Sequence, residues 1–126
     1  MKQIIRSDKA PKAIGPYSQA IKTGNTVYFS GQLGLDPESL ELVNGVEAQA
    51  QLMFKNIQAI AEAVGSDLTA VVKLTIFLTD MADFQKVNQV MEQFWQPPYP
   101  ARSCIAVKQL PKNALVEAEA ILVLSE

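Results

Sequence analysis

Leu115-Val116-Glu117-Ala118-Glu119-Ala120-Ile121-Leu122-Val123-Leu124 is the stretch from which the fold can be read. Its residues alternate, so it is expected to be a strand with two distinct faces. One face carries Val116, Ala118, Ala120, Leu122 and Leu124, and the two alanines allow a helix to approach closely. The other carries Leu115, Glu117, Glu119, Ile121 and Val123, with the two carboxylates set between apolar ends.

Outward from this strand, two segments carry helical period. From Glu47 to Val64 the residues Ala50, Met53, Phe54, Ile57, Ile60, Ala61 and Val64 fall on one stripe, with Gly65 as the C′ residue. A second helix is expected from Met81 to Phe94 or Trp95. Asp80 is its N-cap, with Thr79 as the competing choice. Its stripe is Phe84, Val87, Met91 and Phe94, and Pro97 and Pro98 stop it. Both stripes read as core. Extended segments are expected over Ile14–Lys22, Asn25–Gln32, Val71–Leu78 and Ser103–Val107. The order ββαβαββ predicts an α/β (α+β) fold with one mixed sheet and both helices on one face. The strand ending near Gln32, the first helix and Val71–Leu78 would form a right-handed βαβ unit if the two strands are parallel. Two helices cannot cover both faces of such a sheet, so the second face is expected to pack against another subunit.

Composition sets the class. The 126 residues, 48% hydrophobic and without a low-complexity linker or internal repeat, make a single domain over 1–126. A net charge of −2 offers no electrostatic footprint for nucleic acid or for an anionic membrane. The residues Met1-Lys2-Gln3-Ile4-Ile5-Arg6-Ser7-Asp8 have no signal-peptide core, and no apolar stretch approaches the ~20 residues that span a bilayer. One cysteine, Cys104, fits a reducing compartment, and a cytoplasmic protein is expected. With no histidine and one cysteine, imidazole-rich or thiolate metal sites and Ser–His or Cys–His pairs cannot form within one chain. There is no GxGxxG or Walker A loop. Neither a metal nor a cofactor is expected, which leaves the chemistry to carboxylates, Tyr, Lys, Cys, Arg and the backbone.

Gln96-Pro97-Pro98-Tyr99-Pro100-Ala101-Arg102-Ser103-Cys104 delivers one arginine from a proline-locked segment into an apolar strand. A guanidinium held this way presents a planar fork that matches a carboxylate. The residues alone leave two readings open, a structural ion pair and a carboxylate clamp. If Ser103–Val107 and Leu115–Leu124 pair as an antiparallel hairpin, a register with Cys104 opposite Glu117 places Arg102 opposite Glu119 and diagonal to Glu117. Beside Arg102, Glu117 is expected to stay ionised, which suits the orienting of a water. Cys104 has no histidine to activate it and reads as a wall residue.

Gly15-Pro16-Tyr17-Ser18-Gln19-Ala20, Phe29-Ser30-Gly31-Gln32, Asn88, Pro100-Ala101-Arg102-Ser103 and Val116-Glu117-Ala118-Glu119-Ala120 occur in the order that characterises the RidA/YjgF family. The chain resembles that family over essentially its whole length. Ala118 departs from the commoner bulky residue, on the side away from the second face. The resemblance implies a chorismate-mutase-type fold and a homotrimer with clefts between subunits. It also implies hydrolysis of 2-aminoacrylate, 2-iminopropanoate and 2-iminobutanoate, released by pyridoxal-phosphate-dependent dehydratases, to 2-oxo acids and ammonia. Carried onto matching positions, Arg102 clamps the substrate carboxylate and Glu117 positions the attacking water. Tyr17, Ser30, Gly31, Asn88 and Cys104 line the cleft, some of them from the neighbouring subunit, with Arg102 and Glu117 from one subunit facing Tyr17 and Ser30 or Gly31 from the next. Read as bare residues, Tyr17 remains open as an interface hydroxyl and Ser30 as a plain strand residue. Two rival functions stand beside this one: a non-catalytic sensor of small 2-oxo acids using the same Arg102, and RNA cleavage with translation inhibition, against which the acidic pI of about 5.1 argues.

Overall fold

The computed structural model describes residues 1–125. Its strands are β1 (Gln3–Ile5), β2 (Ala20–Thr23), β3 (Thr26–Phe29), β4 (Gln32–Leu33), β5 (Val71–Leu78), β6 (Ala101–Ala106) and β7 (Val116–Val123). Its helices are α1 (Val46–Ala63) and α2 (Phe84–Met91). All seven strands join one mixed sheet in the order β1-β2-β3-β7-β5-β6, with β4 also pairing with β7. The expected α+β fold, a single mixed sheet with two helices, is the one observed. None of the described helices is long and apolar enough to cross a membrane.

The strand Leu115–Leu124 appears as β7, at the centre of the sheet, and its alternation holds. Val116, Ala118, Ala120 and Leu122 are buried, as are Leu74, Ile76 and Leu78 of β5. They meet Met53, Phe54, Ile57 and Ile60 of α1 in the main core. Removing each large apolar side chain from water contributes about 1.5–3 kcal/mol, so this layer is the main driving force of the fold. α1 ends in a Schellman turn, with Ser66 N–H donating to Ala61 O at 2.9 Å and Gly65 N–H to Glu62 O at 3.0 Å. At the other end of the layer Gly34 is obligatory: a Cβ there would lie 2.5 Å from Gln49 Cα. Two buried amides fasten α1 to the sheet. Asn56 Nδ2 donates to Leu33 O at 3.1 Å and to Leu35 O at 3.0 Å, and Gln49 Oε1 accepts from Leu115 N–H at 2.8 Å. The opposite sheet face carries exposed Ile4, Tyr28, Ile105 and Val123 around Glu117 and Glu119.

Several expectations are corrected. Ser103–Val107 and Leu115–Leu124 do not form a hairpin. β6 pairs in parallel with β5, and β5 separates it from β7. Cys104 and Ala118 therefore flank Ile76 from opposite sides, and Arg102 and Ala120 flank Leu74. The strand ending near Gln32 is parallel to β5, as the βαβ reading required, with β7 between them because both pair antiparallel with it. That strand is also interrupted: Tyr28 pairs with Ile121 and Gln32 with Ala118, so four steps on one side match three on the other. The extra residue makes a β-bulge at Ser30–Gly31. Ile14–Ser18 is irregular, and of the first extended segment only residues 20–22 join the sheet, within β2. β1, not foreseen, pairs with β2.

The second helix is shorter than expected. Asp80 caps a 3-10 turn, its carboxylate accepting from Ala82 N–H at 2.9 Å, and the α-helix proper ends at Met91. Trp95 then turns into the core, edge-on to Phe54 at 5.2 Å, with its indole N–H donating to Leu68 O at 2.8 Å. Burying that ring and satisfying its N–H outweighs one more turn of helix.

Candidate active site

The bulge at Ser30–Gly31 creates the first half of the site. A bulge turns residues out of the ladder, and the next pairs after this one are Gln32 with Ala118 and Leu33 with Glu117 of β7. Glu117 occupies the room this leaves. A Cβ on Gly31 would stand 2.7 Å from Glu117 Oε2 and 2.9 Å from Cδ, closer than any side chain tolerates. Ser30 Oγ donates to Ser18 O at 2.5 Å, which ties the floor to the chain carrying Tyr17. Tyr17 is half exposed at the rim, its hydroxyl accepting from Ile14 N–H at 3.4 Å. Tyr17, Ser30, Gly31 and Glu117 thus line one cleft of about 700 Å³, together with Lys12 and Lys112.

Electrostatics in this cleft differ from expectation. Burial pushes the Glu117 carboxyl above the ordinary carboxylate range, and the like charge of Glu119 adds to the effect. The Arg102 expected to hold it ionised is not there.

Arg102 stands on the other face of the sheet, and with it the second half of the site. It aligns with buried Leu74 and reaches α2, where Nη1 donates to Asn88 Oδ1 at 2.5 Å and contacts Met91 Sδ at 3.6 Å. Its guanidinium lies 5.2 Å from the centre of the Phe84 ring. These contacts hold the fork in place while the segment Tyr99–Pro100 bounds a shallow cleft of about 430 Å³ beside it. Cys104 shares this face and packs against the core. Burial raises its thiol pKa and Arg102 offsets that only in part, so the sulfur stays protonated, as suits a wall residue rather than a nucleophile.

The structure therefore brings Tyr17, Ser30, Gly31 and Glu117 together, and separately Arg102 with Asn88, with Cys104 on the same face. It does not bring Arg102 to Glu117. The supports of Arg102 were legible in part: Phe84, Asn88 and Met91 recur at helical spacing, and reading Phe84 and Met91 as core hid their contact with the guanidinium. Gln19, buried in the wall of the Glu117 cleft, was also missed, although it lies within the Gly15–Ala20 motif.

Comparison with known proteins places these features in context. A family model described as endoribonuclease L-PSP matches residues 7–124. The chain is 48% identical over 124 residues to 2-iminobutanoate/2-iminopropanoate deaminase of Dermatophagoides farinae, covering 98% of this chain and 97% of that one. The crystal structure of RidA from the Antarctic bacterium Psychrobacter superposes with a TM-score of 0.95 at 53% identity, covering 97% of this chain and 99% of the other. That of TdcF from E. coli with bound serine gives 0.94 at 42% identity, covering 98% and 99%.

Proposed function

The chain belongs to the RidA/YjgF family, whose model carries the description endoribonuclease L-PSP, and from that membership we propose that it is a deaminase of small 2-imino acids and their enamine tautomers. The observation that carries this reading is the 48% identity, over 98% of this chain, to the deaminase of Dermatophagoides farinae. The substrates are 2-aminoacrylate, 2-iminopropanoate and 2-iminobutanoate. In the reaction a water oxygen bonds to the imine carbon, the carbon–nitrogen bond breaks, and a 2-oxo acid and ammonia leave.

The residues suit that chemistry. An iminium carbon is already electrophilic, so orientation and one acid/base group suffice. Arg102, fixed by Asn88 and Phe84, offers its fork to the substrate carboxylate. Glu117 accepts a proton from the attacking water and returns it to the departing nitrogen.

Because Arg102 and Glu117 occupy opposite faces, the complete site joins the Arg102 half of one chain to the Glu117 half of another. We assign the Glu117 half, with Tyr17, Ser30 and Gly31, to one subunit and Arg102 with Asn88 and Cys104 to its neighbour. A closed homotrimer satisfies this with three identical contacts, and the apolar face around Tyr28, Ile105 and Val123 supports such burial. The compartment proposed is the cytoplasm, in keeping with a single free thiol. The RNA reading is not carried over, since the chain has net charge −2 and no histidine. The test couples the protein to a threonine dehydratase and times ammonia release. Faster release supports the deaminase. Unchanged release with saturable binding of a 2-oxo acid would leave only a sensor.

A further inference from the structure

Residues 6–19 form one wall of the Glu117 cleft, to which they contribute Pro11, Lys12, Ile14 and Tyr17, yet none lies in a helix or strand. Irregular backbone keeps a fixed position only if something satisfies its polar groups. Here one side chain serves four of those groups. The Gln19 amide is 4% exposed, and its Nε2 donates to Pro11 O at 2.7 Å, Ser7 O at 3.1 Å and Ala10 O at 3.4 Å. Its Oε1 accepts from Ser7 N–H at 2.7 Å. The Gln19 main-chain carbonyl accepts in turn from Ser30 N–H at 2.9 Å, the residue next to Gly31. Gln19 therefore fastens the wall to the floor, beside the bond from Ser30 Oγ to Ser18 O.

We propose that Gln19 is a positioning residue of the site: its amide fixes the wall that carries Tyr17 at a set distance from Glu117. No other side-chain type does this. Glutamate is isosteric but, ionised, donates to none of the three carbonyls. Asparagine is one methylene too short. Leucine fills the space and leaves the carbonyls and Ser7 N–H without partners. The substrate readout of the proposal rests on the deaminase reading, and its geometric readout does not.

The experiment compares Gln19→Glu and Gln19→Leu with the unaltered protein in three measurements. These are kinetics on 2-iminobutanoate generated by a threonine dehydratase, amide hydrogen exchange by segment, and thermal unfolding. A displaced wall should raise KM about tenfold while kcat changes far less, because the wall binds substrate and Glu117 itself is untouched. Exchange should accelerate in residues 7–18 and stay unchanged in α1 and β7. As pH falls, Gln19→Glu takes up a proton, at a pH above the ordinary carboxylate range because the position is buried among carbonyls, and regains one donor, so its KM should recover towards wild type where that of Gln19→Leu does not. An unchanged KM in both folded variants, exchange that quickens throughout the chain, or failure of both variants to fold would each overturn the proposal. Absence of turnover in the unaltered protein would instead count against the deaminase reading. In that case exchange in residues 7–18 alone still decides: confined acceleration supports the role of Gln19, and none refutes it.

Discussion

Glu117 fills the space where a side chain at position 31 would stand, with 2.7 Å between its Oε2 and the Cβ that Gly31 lacks. The glycine is thus a steric condition for the carboxylate's placement rather than a source of flexibility. Gly31→Ala should keep the fold, since the obstacle is the end of a side chain, but push the carboxylate out of position. A displacement of this kind costs on the order of a hundredfold in rate. Wild-type kcat in Gly31→Ala would show that Glu117 is not held by this contact.

Arg102 tests the clamp. Arg102→Lys keeps the charge but gives up the fork, the Asn88 geometry and much of the stacking on Phe84. A charge-assisted pair contributes about 1.5–3 kcal/mol, so kcat/KM should fall roughly ten- to a hundredfold. Retention of wild-type kinetics would make Arg102 a structural residue of the α2–β6 seam.

Glu117 makes a stability prediction with a definite sign. Its carboxyl pKa is raised in the folded chain by burial, then by Glu119. The fold therefore holds that proton more tightly than the unfolded chain does. The resulting stability is fully present below the unfolded pKa, near 4.3 for glutamate, and is lost as pH rises through the folded value. Glu117→Gln removes this loss, so at neutral pH it should unfold at a higher denaturant concentration than wild type, with the gap closing on acidification, while turnover is largely abolished. Equal midpoints across the pH range would mean that Glu117 ionises freely in the fold.

The proposed sharing of clefts between subunits predicts complementation. Arg102→Lys and Glu117→Gln proteins, each impaired on its own, should regain activity when unfolded together and reassembled. In a ring taking one half of each cleft from each neighbour, random mixing restores about a quarter of the clefts. No recovery on mixing, or a stable and fully active monomer by sedimentation, would place the whole site within one chain.

Much of this architecture was legible because it depends on local period. The α1 stripe from Ala50 to Val64 and the alternation of β7 follow from burial of one side of a regular element, which one sequence records. What failed was neighbourhood. Ser103–Val107 and Leu115–Leu124 are close in the chain and invite a hairpin, yet β5 intervenes between them. Alternation says which residues of one strand share a face, but only pairing relates the faces of two strands. One wrong pairing therefore placed Arg102 beside Glu117. The bulge at Ser30–Gly31 was unreadable for a similar reason, since an extra residue is defined only against its partner strand. The residue types of the site were legible as a motif set, and their division between two faces was not.

The seat of Trp95 has a practical consequence. It is the chain's one tryptophan, wedged between α1 and the turn after α2, and it lines neither the Glu117 cleft nor the Arg102 cleft. Its fluorescence should follow loss of the core and stay silent to occupancy of either cleft. The protein thus carries its own optical gauge of folding, one that separates a variant that has come apart from a variant that has merely stopped working.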